Sequence, residues 1–138
     1  MSSQIKRPFV GVGAVIFNEK GQILMGKRRR SPEAGHWSIL GGKVDYMETI
    51  EAATIREIKE EAGVDIVIDK LLGVTNHILP NEQIHYVAPT FLAHIINGEA
   101  INQEPEALER LIWADLTDLP QPLTLTTLHA LAYLDNDH

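Results

Sequence analysis

The chain contains no cysteine, and this absence removes several kinds of chemistry. Disulfides, thiolate metal sites and cysteine nucleophiles all require that residue. Long apolar runs are lacking as well: the longest, Phe9 to Phe17, is far shorter than the roughly 20 residues that cross a bilayer. The start of the chain, Met1 to Arg7, is polar and lacks the apolar segment of a signal peptide. We therefore expect a cytoplasmic protein without membrane contact.

Positive charge is scarce. The 138 residues include 12 lysines and arginines against 19 acidic residues, a net charge of −7. This balance argues against attraction to nucleic acid. A nucleotide remains a candidate ligand, because a local cationic patch or a bound metal reverses the field within a pocket. With 44% hydrophobic and 22% charged residues, the composition predicts one folded domain over residues 1–138.

Segments rich in valine and isoleucine, separated by turn signals, predict a chain with more strands than helices. The first two strands are expected to pair as a hairpin across Asn18–Gly21. One helix is predicted from Thr49 to Ala62 with Gly63 as its C-cap, and another from Leu123 to Leu134. A mixed sheet with helices on its faces, an α/β fold, accommodates this order. The predicted strands are Phe9–Phe17, Gln22–Arg28, Val64–Ile68, Leu71–Leu79, Ile84–Ile96 and Leu111–Ala114, with a short apolar stretch at Trp37–Leu40.

Three acids share one side of the first helix. Glu57, Glu60 and Glu61 stand at i, i+3 and i+4, within a sector about 100° wide. A solvated acidic face is the ordinary explanation of such spacing. Ile50 and Ala53, however, fall in the same sector, so the acidic stripe continues toward the packed side of the helix. The adjoining arc carries Ile55, Ile58 and Ala62.

Crowded, partly buried carboxylates repel one another. A pair about 6 Å apart costs about 3 kcal/mol at an effective dielectric constant near 20. Either some of them keep protons or a hard divalent cation binds. Oxygen ligands without cysteine or paired histidines favour Mg²⁺ or Mn²⁺ over zinc. Mg²⁺ shares its coordination shell with substrate phosphates, which suits phosphoanhydride chemistry.

These acids belong to a longer pattern. Gly42, five residues, Glu48, seven residues and then the segment Arg56 to Val64 fill every defined position of a Nudix box. The chain therefore resembles the Nudix (MutT-like) hydrolases, and the segments around His85 and Glu104 resemble the small nucleoside-triphosphate pyrophosphatase branch. The resemblance implies a Nudix-type α/β/α sandwich with a central mixed β-sheet.

The resemblance also implies roles for the box residues. Glu57, Glu60 and Glu61 match the carboxylates that hold Mg²⁺, with Mn²⁺ as a substitute, together with the carbonyl of Gly41. Arg56 matches the arginine that orients these acids, and Glu48 matches the acid at the head of the helix; both are counted with the catalytic set. The general base stays open among Glu57, Glu61 and the loop acids Glu104 and Glu106.

One position departs from the family pattern. Leu40 stands where the family commonly has a proline before Gly41-Gly42, so we expect a less rigid loop there.

Candidate substrate contacts follow from charge and position. Arg28 lies in the dense basic run Lys27–Arg30, where a guanidinium either binds phosphate oxygens or is simply solvated. His77 and His85 lie on predicted strands and are either structural or in contact with a base. Tyr86 and Phe91 are candidates for base stacking or for the core. The predicted substrate-binding set is Arg28, Gly41, Gly42, His85 and Glu106.

The expected reaction is hydrolysis of a nucleoside or deoxynucleoside triphosphate to the monophosphate and pyrophosphate. The alternative is an ADP-ribose or nucleotide-sugar pyrophosphatase, for which Pro80, sixteen residues past Val64, is a single weak indicator. A binding module without catalysis is a third hypothesis, and the complete set of box acids argues against it. A nucleotide is thus the expected partner, with a homodimer, which is common in the family, as a further expectation.

Overall fold

The computed structural model describes residues 6–136, which form a mixed α/β fold with two α-helices. This confirms the predicted α/β class. Neither helix in this part of the chain is long and apolar enough to cross a membrane. A 3₁₀ turn at Pro80–Glu82 joins two long strands. The elements are β1 (Phe9–Ile16), β2 (Ile23–Arg28), β3 (Trp37–Ser38), β4 (Leu40–Lys43), α1 (Ile50–Ala62), β5 (Asp65–Leu79), β6 (Ile84–Asn97), β7 (Leu108–Ala114) and α2 (Leu125–Asn136).

The strands form two sheets, with orders β4-β1-β6-β5 and β3-β2-β7. In the larger sheet β1 and β6 run parallel and the other pairs are antiparallel, which makes it mixed. The predicted hairpin of β1 with β2 is wrong, since only an isolated bridge between Phe17 and Ile23 joins these two strands. Gly11 to Ile16 are all buried, so β1 is a central strand whose two edges already pair with β4 and β6.

The short apolar stretch after Trp37 divides between the sheets. β3 pairs with β2, whereas β4 pairs with β1, so the chain crosses from one sheet to the other at Ile39. Leu40 is 2% exposed, pairs with Ala14 and packs in a core cluster. Apolar packing of this leucine therefore holds the loop where a proline would have restricted the backbone.

Helix α1 begins and ends as its capping residues predict. The Thr49 hydroxyl accepts a hydrogen bond from the Ala52 N–H at 3.0 Å, and Gly63 adopts a left-handed φ of 73°. The predicted helix is confirmed to within one residue. The predicted packing of Ile55 is wrong, because this side chain is 40% exposed on the side of α1 away from Glu57.

Two apolar clusters hold the layers together. One packs α1 against both sheets around Ala14, Leu24 and Ile58, and the other packs α2 against β1, β2 and β3 around Val15 and Ile23. The two segments predicted between Val64 and Leu79 form one strand, β5, whose register shifts at bulges. Packing of these layers directs Glu57 and Glu61 of α1 toward β4. This contact determines where the candidate site lies.

Gly73 provides a test of how α2 packs on the sheet. A Cβ atom at Gly73 would lie 2.7 Å from the Tyr133 ring, whose hydroxyl donates to the Val74 carbonyl oxygen at 2.8 Å. Because the ring would have to move, we expect Gly73→Ala to lower the free energy of unfolding by about 1–3 kcal/mol in urea denaturation. In a Tyr133→Ala background the same change is expected to cost much less, and equal costs in both backgrounds would contradict the packing.

Candidate active site

A cavity of about 730 Å³ lies beside the larger sheet, within the size range of small-molecule sites. Strands β4 and β5, at opposite edges of that sheet, both contribute to its wall, with β1 and β6 between them. Three strand spacings separate the two edges, a distance of about 14 Å. The cavity therefore has an acidic end beside β4 and α1 and a second end beside β5 and β6.

The acidic end depends on two glycines in β4. A Cβ atom at Gly42 would lie 2.2 Å from the Glu57 carboxyl carbon, so the Glu57 carboxylate occupies the space that a side chain would fill. The N–H of Gly41 donates to Glu61 Oε1 at 2.9 Å. These four residues are predicted site residues, and all four line the cavity.

Arg56 makes hydrogen bonds to three acids of the box. Its Nε and Nη2 donate to the two oxygens of Glu48 at 2.8 and 2.9 Å, a bidentate pair. Its Nη1 bonds Glu57 at 3.0 Å and Glu60 at 3.1 Å, and Nη2 also donates to the Lys43 carbonyl oxygen at 2.9 Å. The hydrogen bonds from Arg56 lower the pKa of Glu48 to about 2. Glu60 is 48% exposed and lies outside the cavity wall, turned toward the guanidinium.

The carboxylates at this end are crowded and poorly solvated. Burial raises the pKa of Glu61 to about 8; Glu57 and Glu104 add to this effect, and the Gly41 N–H and Arg28 oppose it. Burial also raises the pKa of Glu57, against the hydrogen bond and charge of Arg56. The repulsion expected from the helical spacing is therefore concentrated on Glu57 and Glu61.

These residues fit a divalent cation. Within residues 6–136, no three acidic or histidine side chains converge into a ready-made cage. Mg²⁺ does not need one, since it usually binds one or two carboxylates and completes its shell with water and phosphate oxygens. Glu57 and Glu61 are two partly buried carboxylates facing one cavity, and a cation there offsets the unfavourable burial of their charge.

Cationic side chains line the same cavity as the acids. Arg28, Arg30 and Lys43 line the wall, and Arg28 Nε donates to the Pro32 carbonyl oxygen at 2.7 Å. Arg29 is directed elsewhere, because its Nε donates to the Pro105 carbonyl oxygen at 2.7 Å. The structure thus brings Arg28 to the position that its predicted role requires.

Two predicted substrate contacts lie outside the cavity. His85 is exposed on β6, whereas its neighbours Ile84 and Tyr86 line the wall, so strand alternation directs His85 to the opposite face. His77 of β5 lines the cavity instead. Glu106 is exposed and absent from the wall. The loop acid that acts on the site is Glu104, which raises the pKa values of Glu57 and Glu61.

Glu33 organises the second end of the cavity and was not predicted from the sequence. It adopts a left-handed φ of 56°; its Oε1 lies 3.0 Å from His77 Nε2, and its Oε2 accepts from the Leu125 N–H at 2.9 Å. Although burial acts to raise it, hydrogen bonds from His77 and Leu125 hold the pKa of Glu33 below its ordinary value. A lone glutamate in a polar loop carries no local signal of these contacts, which are 44 and 92 residues away.

Comparison with known proteins is consistent with this geometry. Residues 7–134 match the family model described as the NUDIX domain. The chain is 34% identical over 114 residues to an ADP-ribose pyrophosphatase of Methanocaldococcus jannaschii, covering 83% of this chain and 66% of that protein. It is 34% identical over 110 residues to an oxidized purine nucleoside triphosphate hydrolase of Danio rerio, covering 77% and 66%. The chain thus spans slightly less than two thirds of each of these relatives.

A solved structure is also similar over nearly the whole chain. The crystal structure of a MutT NUDIX hydrolase from Burkholderia pseudomallei is 48% identical, with a TM-score of 0.89, covering 93% of this chain and 98% of that one.

Arg56→Lys tests the arrangement of the acids. Lysine keeps the charge but loses the planar fork that holds Glu48, Glu57 and Glu60 together. Because such supporting contacts orient metal-binding carboxylates, we expect Mg²⁺ affinity in calorimetry to fall about 10- to 100-fold, with an unchanged circular dichroism spectrum. Arg110→Lys, on the exposed surface of β7, is the matched control, and an Arg56→Lys variant with wild-type Mg²⁺ affinity would refute this role.

Because the pKa of Glu61 is raised, we expect the stability of the metal-free protein to depend on pH. Its pKa is about 8 in the folded chain against an ordinary 4.5, so between these values the folded state keeps a proton that the unfolded state has lost. The free energy of unfolding should therefore decrease as pH rises through this window, by about 1.4 kcal/mol per pH unit from this group. Urea denaturation in EDTA from pH 5 to 9 measures the slope, and Glu61→Gln should remove that contribution. Identical slopes in both proteins would be the contrary result.

Proposed function

The chain belongs to the NUDIX domain family, and on that premise we propose that it is a divalent-cation-dependent hydrolase of nucleoside or deoxynucleoside triphosphates, releasing the nucleoside monophosphate and pyrophosphate. One observation carries the proposal. Partly buried carboxylates and three cationic side chains line a single cavity of ligand size. A polyphosphate with its divalent cation complements both sets of charges.

The cationic and the acidic residues of the cavity have different proposed roles. Arg28, Arg30 and Lys43 bind the phosphate oxygens, which guanidinium and ammonium groups recognise through charge-assisted hydrogen bonds. Glu57 and Glu61, in the same cavity, would hold Mg²⁺, or Mn²⁺ in its place. When bound, this cation neutralises phosphate charge and lowers the pKa of a coordinated water.

Three further residues position the acids or offer a site for a proton. Arg56 keeps the Glu57 carboxylate oriented toward Gly42, and Glu48 in turn holds the guanidinium in place through two hydrogen bonds. Glu104 stands within electrostatic range of both Glu57 and Glu61 and is the loop acid that we assign as a candidate proton acceptor.

The second candidate is a pyrophosphatase of ADP-ribose, and one relative carries that name. Another relative is named for oxidized purine nucleoside triphosphates. The cluster of Arg28, Arg30 and Lys43 favours the triphosphate, because three cations match its larger charge better than a diphosphate bridge. The products separate the two reactions: ADP-ribose yields AMP and ribose phosphate, whereas a triphosphate yields a monophosphate and pyrophosphate.

A substrate panel tests the proposal directly. The protein is incubated with Mg²⁺ and each common ribo- and deoxyribonucleoside triphosphate, or with ADP-ribose, and the products are separated by ion-exchange chromatography. We expect monophosphate and pyrophosphate from at least one triphosphate, and ¹⁸O from labelled water identifies the phosphorus attacked. Absence of turnover with every triphosphate would rule out this substrate class.

Paired variants of α1 connect the turnover to the cavity. Glu61→Gln removes a charged ligand from the cavity, and we expect kcat to fall at least about 100-fold with the fold retained. Glu51→Gln changes an exposed acid in the first turn of the same helix and should leave kcat within about twofold. Similar kcat values for both variants would show that the reaction does not take place at this site.

A further inference from the structure

The wall of the cavity contains a hydroxyl with no partner. Among residues 6–136, Thr90 Oγ1 is the one buried side-chain oxygen or nitrogen that makes no hydrogen bond. Thr90 is 1% exposed and lines the cavity. A buried, unpaired hydroxyl reduces stability, whereas valine has nearly the same shape without that cost. Stability alone therefore does not explain a threonine at this position.

Three other polar side chains of the wall already make hydrogen bonds within the protein. The Ser38 hydroxyl donates to the Ile39 carbonyl oxygen at 2.8 Å, and His77 is held by Glu33 at 3.0 Å. Thr126 Oγ1 lies 3.3 Å from the hydroxyl of Thr124. Thr90 therefore carries the one fully buried hydroxyl in the described part of the wall that has no protein partner, whereas Tyr86, on the same strand, is partly exposed.

The strand register places no side chain directly beside Thr90 in the sheet. Its partner on β1 is Gly13 and its partner on β5 is Gly73, so neither flanking position carries a side chain. Ile39 approaches the site of a Cβ atom at Gly13, and the Tyr133 ring approaches that at Gly73. Thr90 therefore lies between an aliphatic side chain and an aromatic ring, and rotation about χ1 exchanges its methyl and hydroxyl groups.

The charges of the cavity decide which part of a nucleotide reaches Thr90. Strand β6, which carries it, is two strands from β4, a separation of about 10 Å from the acidic end. Its neighbours on the wall, Ala88 and Ile39, are apolar, unlike the cationic Arg28 and Lys43. A neutral ring with nitrogen or oxygen atoms on its edge fits such a surface better than a phosphate does.

We propose that Thr90 is a specificity-determining residue whose hydroxyl hydrogen-bonds a ring nitrogen or exocyclic oxygen or nitrogen of the substrate nucleobase. This inference rests on the proposed function, because it takes the bound molecule to be a nucleotide whose phosphates occupy the acidic and cationic end. The hydroxyl makes no hydrogen bond to a protein group, and it gains a partner from the base on binding.

Thr90→Val and Thr90→Ser separate this role from packing. Valine keeps the shape and removes the hydroxyl, so we expect the variant to be at least as stable as wild type in urea, with kcat/KM for the preferred nucleotide reduced about 10- to 100-fold. The ratio of kcat/KM values between bases should shrink at the same time. Thr90→Ser keeps the hydroxyl and should retain the wild-type order of preference among bases.

Thr75→Val is the matched control. Thr75 is equally buried, on β5, but its hydroxyl lies 3.4 Å from the Tyr133 hydroxyl and it does not line the cavity. Its loss should lower stability and leave the base preference unchanged. An active wild-type protein whose Thr90→Val variant keeps every kcat/KM value within about twofold would overturn the proposal, as would an equal loss for all bases.

Binding of nucleoside monophosphates, measured by calorimetry, is a readout that does not require turnover. Wild type should bind the preferred base about tenfold or more tightly than Thr90→Val does. If wild type binds nucleotides with this difference but hydrolyses none of them, the proposed reaction fails and the assignment of Thr90 stands. If wild type binds none of them, both are overturned.

Discussion

Glu57 and Glu61 of α1 pack against Gly41 and Gly42 of β4, two residues without side chains. The rest of the site depends on this contact. Glu57 fills the space above Gly42, and Glu61 accepts a hydrogen bond from Gly41. Burial makes both charged forms unfavourable, so positive charge is needed nearby. Arg56 supplies a permanent positive charge, and the proposed divalent cation supplies a charge that depends on metal binding. Catalysis and stability are coupled at this helix, because the charges that destabilise the free fold are those that attract the cation.

The order of the strands turns this local constraint into an elongated site. Strand β4 lies at one edge of the larger sheet and β5 at the other, so groups from the two edges line different parts of one cavity. The loop after β2 crosses between them and is held by Glu33, which binds both His77 and the first N–H of α2. The proposed phosphate contacts and the proposed contact with the base are therefore separated in space.

Several features follow from short stretches of sequence. The limits of α1 are set by the Thr49 hydroxyl and by Gly63, each acting within four residues. Other expectations failed where a distant partner decided the outcome. The hairpin of β1 with β2 is absent because β1 is enclosed by β4 and β6, and His85 faces away because the phase of β6 is set by its pairing with β1. Leu40, which lacks the backbone restriction of proline, is held instead by the core into which it packs.

By itself the sequence determined that one helix would carry crowded acids, where that helix begins and ends, and that it belongs to a Nudix box. The crowding of the acids depends on residues three and four positions apart, whose relative directions follow from helical geometry, and the box is recognised from the spacing of residues between Gly42 and Val64. Tertiary structure alone decided that Glu33 would hold His77, that Glu104 rather than Glu106 would act on the acids, and that Thr90 would have a free hydroxyl. These relations join strands and loops distant in the chain, and their distances depend on sheet order and register, which no local pattern encodes.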